Sequence, residues 1–135
     1  MIVDTSFVLD RISGVEAAEA KETELQLQNI PLTLPAMTIL ELWIGVGAAT
    51  SSTAERQEVR GVIESYPQAD MTPSIARRAG RLLGEQMADA GDGEGPGVGK
   101  GDAAIAATAI EYDVPVLAAD GHFESVPGVE VEMYR

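Results

Sequence analysis

Short apolar runs separated by long helix-forming stretches constrain this chain more than any other feature. Met1–Val3, Leu32–Pro35, Ala69–Met71, Pro115–Ala119 and Val129–Met133 read as strands, none longer than five residues. Between them, Val15–Asn29, Thr38–Ala49, Ala54–Ser65 and Asp102–Tyr112 read as helices, and Thr5-Ser6 opens another directly after the first strand. Thr72 is a good N-cap with Pro73 in the first helical position, so a further helix should run to about Asp89. Such alternation favours parallel βαβ units in an α/β fold. With 135 residues and no internal repeat or boundary, the chain is expected to form one domain over 1–135 around a single core.

Composition narrows the class. Hydrophobic residues make up 45% of the chain but aromatics only 4%, which predicts a core of Val, Ile, Leu and Ala. The absence of cysteine excludes disulfides and thiolate metal sites and makes the cytoplasm the default compartment. Asp4 interrupts the start and no basic segment precedes it, so no signal peptide is read. The longest apolar runs, such as Ala103–Ala107, are far too short to span a bilayer, and a soluble protein is expected. Asp and Glu number 22 against 9 Lys and Arg, for a net charge of −13. A surface like that repels nucleic acid at low ionic strength. At about 1 M salt the Debye length falls to roughly 3 Å and the repulsion fades. The acidic, lysine-poor composition therefore reads as halophilic adaptation to a salt-rich cytoplasm, with an acidic protein that has a basic partner as the alternative.

The stretch DAGDGEGPGVGKGD, residues 89–102, invites comparison with a phosphate loop. A G-x-x-x-x-G-K-[ST] frame ending at Lys100 needs Gly at 94 and Ser or Thr at 101, where the chain has Glu94 and Gly101. No G-x-G-x-x-G frame fits, and nearby acids disfavour anions. The stretch reads as a flexible connector.

Chemistry concentrates in acids at element ends. Asp4 follows the first strand and Asp120 the run Val116–Ala119, while Glu41 and Asp102 lie in the first turns of helices. In an open parallel sheet, residues beyond the carboxyl ends of strands line the ligand crevice. Each acid also has a local alternative. Asp4 can cap the next helix, Thr38 and Glu41 match a capping box, Asp102 can cap its own helix, and Asp120-Gly121 is an ordinary turn pair. Four acids in such places together favour a site. Two carboxylates about 5 Å apart repel by roughly 3 kcal/mol at an effective dielectric near 20, so a cluster needs protons or a cation. All-oxygen ligands point to Mg²⁺ or Mn²⁺, and phosphodiester hydrolysis is the natural chemistry of such a centre. The only histidine is His122 and no acyl-transfer motif surrounds a serine, so a nucleophilic triad is not supported.

Taken in order, IVDTSFVLD, LPAMTILELWIGV, GKGDAAIAATAIEYDVPVLAAD and HFESVPGVEV closely resemble the PIN-domain ribonucleases, particularly VapC-type toxins. The resemblance covers nearly the whole chain. It implies a three-layer α/β/α sandwich with a central parallel sheet, and metal-dependent endoribonuclease activity on RNA with Mg²⁺ or Mn²⁺. Asp4, Glu41, Asp102 and Asp120 take the family's acidic positions as catalytic residues and metal ligands, with Ser6 and Thr38 at the supporting hydroxyls. A homodimer and a cognate antitoxin are implied partners. Two departures stand out: Ala118 where a Thr is usual, and a longer, more acidic approach to Asp102.

Arg77, Arg78 and Arg81 form the main basic cluster, which suits either phosphates or a solvated face paired with acids. Trp43 reads as core or interface, Phe123 as packing and His122 as a surface residue. Two other classes compete with the nuclease. One is a catalytically inactive PIN-like module that binds RNA or protein, which metal-dependent turnover would exclude. The other is a phosphoacceptor receiver domain, but Asp70 lies inside its strand and Lys21 and Lys100 are badly placed for it.

Overall fold

The computed structural model describes residues 1–50, 52–90 and 98–135. Half of the glycine-rich connector, 91–97, lies outside the described residues, as does Ser51. In chain order the elements are β1 (Ile2–Val3), α1 (Thr5–Ile12), α2 (Glu16–Leu27), β2 (Leu34–Pro35), α3 (Ala36–Ala48), α4 (Thr53–Glu64), β3 (Gln68–Ala69), α5 (Pro73–Asp89), α6 (Lys100–Tyr112), β4 (Val116–Ala118), a 3-10 helix (His122–Ser125) and β5 (Val131–Met133).

Every described strand pairing is parallel. Ile2 lies opposite Val116, Val116 opposite Val131, and Leu34 opposite Gln68. A parallel bridge between Ile2 and Thr33 joins the two groups. There Val3 N–H donates to Thr33 O at 3.0 Å and Thr33 N–H to Met1 O at 2.9 Å. The resulting order is β3-β2-β1-β4-β5, and β1 and β4, far apart in sequence, lie side by side at its centre.

Period-two alternation within these strands sets up the layers. Val3 and Leu117 pack on one face with Phe7, Val8, Ala18, Leu25 and Ile63, from α1, α2 and α4. Ile2, Val116 and Ala118 pack on the other with Ile105, Ala106 and Ala109 of α6. Helix α5 covers α6 through Ile75 and Ala79 against Ala103, Ala104 and Ala107. The fold is a three-layer α/β/α sandwich, and its core is aliphatic. Among the described buried residues the only aromatic rings are Phe7, Phe123 and Tyr66.

Local signals place most boundaries. Thr72 Oγ1 accepts from Ile75 N–H at 3.1 Å, with Pro73 at the helix start. Several boundaries differ from expectation by one or two residues, and two of them matter most. Helix α3 begins at Ala36, because Pro35 is still extended (φ −71°, ψ 153°) and no side chain caps the helix. Strand β3 covers Gln68–Ala69, two residues that pair with Leu34–Pro35, which leaves Asp70 and Met71 outside, so Asp70 follows the strand and does not lie inside it as expected.

Helix α6 ends at Asp113 in the left-handed region, at φ 53°. Glycine adopts that conformation without a Cβ penalty. Asp113→Gly should therefore stabilise the protein by about 0.5–1 kcal/mol, seen as a higher urea midpoint at unchanged slope.

Candidate active site

Strand β1 ends where Asp4 N–H makes a last ladder bond to Leu117 O at 3.0 Å. The carboxylate emerges at the carboxyl edge of the sheet and N-caps α1. Its Oδ1 accepts from Thr5 N–H at 2.9 Å and its Oδ2 from Ser6 Oγ–H at 2.8 Å. Capping is thus compatible with the expected site role of Asp4, which is only 5% exposed. Burial pushes its carboxyl above the ordinary range and the Asp102 charge adds to this, against the bonds from Ser6 and Thr5 and the nearby His122.

Glu41 does not form a capping box. Thr38, fully buried, donates its hydroxyl to Val3 O at 2.9 Å and so braces the strand that carries Asp4 without touching a carboxylate. Glu41 instead accepts from Thr5 Oγ–H at 3.0 Å, across 36 residues of sequence. Partial burial raises its carboxyl; the Thr5 bond opposes this, and the charges of Asp4 and Asp102 add to the rise. Gly101 permits the approach, since a Cβ there would sit 3.3 Å from both Glu41 carboxylate oxygens.

Asp102 is the third residue of α6, and the cap position is held by Gly99. Asp102 is therefore not its helix's cap; its Oδ1 lies 3.4 Å from His122 Nε2. Asp120 accepts from His122 N–H at 3.0 Å, closing the turn, and also pairs with the ring Nδ1. The imidazole so bridges two of the four acids and stacks on Phe123, with ring centroids 4.2 Å apart. Burial depresses the imidazole, but Asp120 and the charges of Asp102 and Asp4 outweigh it and raise its pKa. The His122 bond holds Asp120 below its ordinary value.

The structure therefore brings Asp4, Glu41 and Asp102 into mutual electrostatic reach and ties Asp120 to His122. Thr5 is a site residue that the sequence pattern does not single out; a hydroxyl directly after a strand-end acid is the one signal it offers. His122, expected as a surface residue, is partly buried and stands between candidate acids. Among the described residues no three acid or histidine side chains converge tightly enough to enclose a metal ion as they stand. The donor chemistry nevertheless fits a hard divalent cation: three oxygen donors from separate elements, two of them raised toward protonation, and no sulfur.

The PIN domain family model matches residues 1–129. No curated protein sequence matches the chain. Several solved structures do share its fold. VapBC from Salmonella typhimurium, solved bound to DNA, aligns at 22% identity and a TM-score of 0.82, over 99% of this chain and 97% of that one. VapBC2 from Rickettsia felis, bound to a DNA fragment from its promoter, aligns at 17% and 0.80, over 98% and 96%. VapBC-5 from Mycobacterium tuberculosis, a member of the VapBC family of toxin–antitoxin systems, aligns at 27% and 0.64, over 99% and 96%.

Proposed function

Because the chain belongs to the PIN-domain family, we propose that it is a Mg²⁺- or Mn²⁺-dependent endoribonuclease, the toxin of a toxin–antitoxin pair. PIN domains are generally nucleases. The observation that carries the reading is the mutual electrostatic reach of Asp4, Glu41 and Asp102, from three separate elements, near the carboxyl ends of β1 and β4.

Asp4, Glu41 and Asp102 would hold the cation, with Asp120 contributing charge from its place against His122. When bound, such a cation supplies Lewis-acid polarisation of a phosphate oxygen and an attacking water of lowered pKa. The chain's own part is orientation. Ser6 and the Thr5 amide fix both oxygens of Asp4, and the Thr5 hydroxyl turns Glu41 toward it. Thr38 holds the end of β1 in place from beneath.

A cognate antitoxin has a groove to occupy. Leu9, Ile12, Leu42, Val46 and Val59 line an apolar cleft of about 280 Å³ between α1, α3 and α4. Trp43, at 40% exposure, lies outside the core and flanks the cleft, where a partner could cover it. The net charge of −13 suits a basic segment laid along that cleft. A homodimer, a cytoplasmic setting and tolerance of high salt complete the reading.

The direct test is incubation of partner-free protein with cellular RNA at low and high KCl, with Mg²⁺, Mn²⁺ or EDTA. Cleavage that needs the metal is expected. Folded protein that cuts nothing under any of these conditions would leave a binding module. Gly101→Ala should separate stability from activity. Alanine in the first turn of α6 is neutral or favourable by up to about 1 kcal/mol. Its methyl, 3.3 Å from both Glu41 oxygens, forces that carboxylate to shift by a few tenths of an ångström, so cleavage should fall by up to about tenfold, as for loss of a supporting contact at a metal centre.

A further inference from the structure

Helices α5 and α6 run antiparallel, with Ser74 Oγ donating to Glu111 at 2.8 Å at one end of the pair. Along the outer flank of α5, Ser74, Arg77, Arg78, Arg81 and Glu85 line an open groove of about 500 Å³ with Glu111 as its far wall. At the other end of α5, Gln86 donates to Ser125 O at 3.5 Å, in the short helix that also carries His122. At a rise of 1.5 Å per residue, this flank spans about 18 Å from Ser74 to Gln86 and leads from the tail of α6 to the rim of the carboxylate site.

We propose that this arginine-lined groove binds the phosphates of a single-stranded RNA flanking the bond to be cut. The inference rests on the nuclease reading above. Three of the chain's nine Lys and Arg residues stand here, on a protein whose overall charge repels RNA. Arg77 has no carboxylate partner among the described residues, although its charge reaches Glu111. Arg78 meets Glu111 and Arg81 meets Glu85 through Nε alone, at 3.2 and 3.3 Å. Each guanidinium therefore keeps its terminal N–H fork for an incoming phosphate, the geometry that arginine binds bidentately. Both pairs are exposed, with Arg81 81% accessible, so holding them together contributes little and a phosphate can displace the carboxylate. Two acids on the same walls confine this binding to a ligand that reaches all three arginines at once.

The experiment measures binding of a labelled 12-nucleotide single-stranded RNA to Asp4→Asn protein, with and without Arg77→Gln/Arg78→Gln/Arg81→Gln, over 50–200 mM KCl. Three phosphate contacts on a single strand contribute a slope of about −2 in log K against log salt, roughly a 20-fold loss over that range. The triple variant should lack that component, Arg77→Gln alone should lose about a third of it, and Glu85→Gln should bind more tightly by releasing Arg81. Equal affinities and slopes with and without the arginines, in a protein whose wild type cuts RNA, would overturn the groove and leave the nuclease standing. Arginine-dependent binding without any cutting by wild type would uphold the groove and overturn the nuclease. Preference for polyglutamate over RNA would overturn it in favour of a protein-docking surface.

Discussion

Asp4→Asn is expected to cut RNA cleavage by more than about 100-fold while leaving the protein at least as stable as wild type. An outer-shell change at a metal centre costs roughly 10–100-fold, and loss of a direct ligand should exceed that. Asparagine is isosteric and a good N-cap, so the Thr5 amide keeps its acceptor and Ser6 can exchange its role from donor to acceptor. The stability half follows from burial. The folded pKa of Asp4 is raised, so between its unfolded and folded values the native state binds more protons than the unfolded one. Stability from this group is therefore full below about pH 4, falls as pH rises through the folded value, and stays lower at neutral pH. Asparagine removes that loss, and any gain in urea midpoint at pH 7 should vanish near pH 4. A variant that loses activity together with its fold would assign Asp4 a purely structural role.

Phe7→Ala should destabilise the protein by about 3–5 kcal/mol. Phe7 is wholly buried between α1 and the sheet and meets Tyr134 edge-on, with centroids 5.2 Å apart. With so few aromatics, little else can collapse into the vacated volume. A domain this size has a total stability of about 5–15 kcal/mol, so the melting temperature should fall on the order of 10–20 °C. Calorimetry of both proteins at one salt concentration would decide it. A shift of only two or three degrees would mean that the aliphatic core closes over the gap.

Much of the architecture was legible because it depends on local pattern. Short apolar runs divided by helical stretches predicted parallel crossovers, whereas the sorting of β1 and β4 residues between two helical layers came only with the packing. Thr72 and Pro73 marked a helix start whose cap bond depends only on residues three apart. The strand-end position of Asp4 was readable for the same reason, since a strand of two residues leaves the next side chain at the sheet edge.

Local pattern misled where a side chain had a more distant partner. Thr38 and Glu41 have the spacing of a capping box, but the Thr38 hydroxyl is held by Val3 O and the Glu41 carboxylate by Thr5. Both partners lie more than thirty residues away, brought close by the parallel pairing of β1 with its neighbours. His122 looked like a surface residue in a turn, and only the packing of α6 against β4 sets Asp102 beside it.

The sequence by itself determined the alternation of short strands with helices, its parallel crossovers and which acids stand at element ends, because hydrophobic period and helix caps act over a few residues. The three-layer arrangement entered only as what the family resemblance implied. The tertiary structure alone decided which acids face one another, which hydroxyl serves which carboxylate, and that Gly101 leaves room for Glu41. Those choices depend on distances between elements that meet only when non-local strands pair and their helices pack, and no short-range preference encodes them.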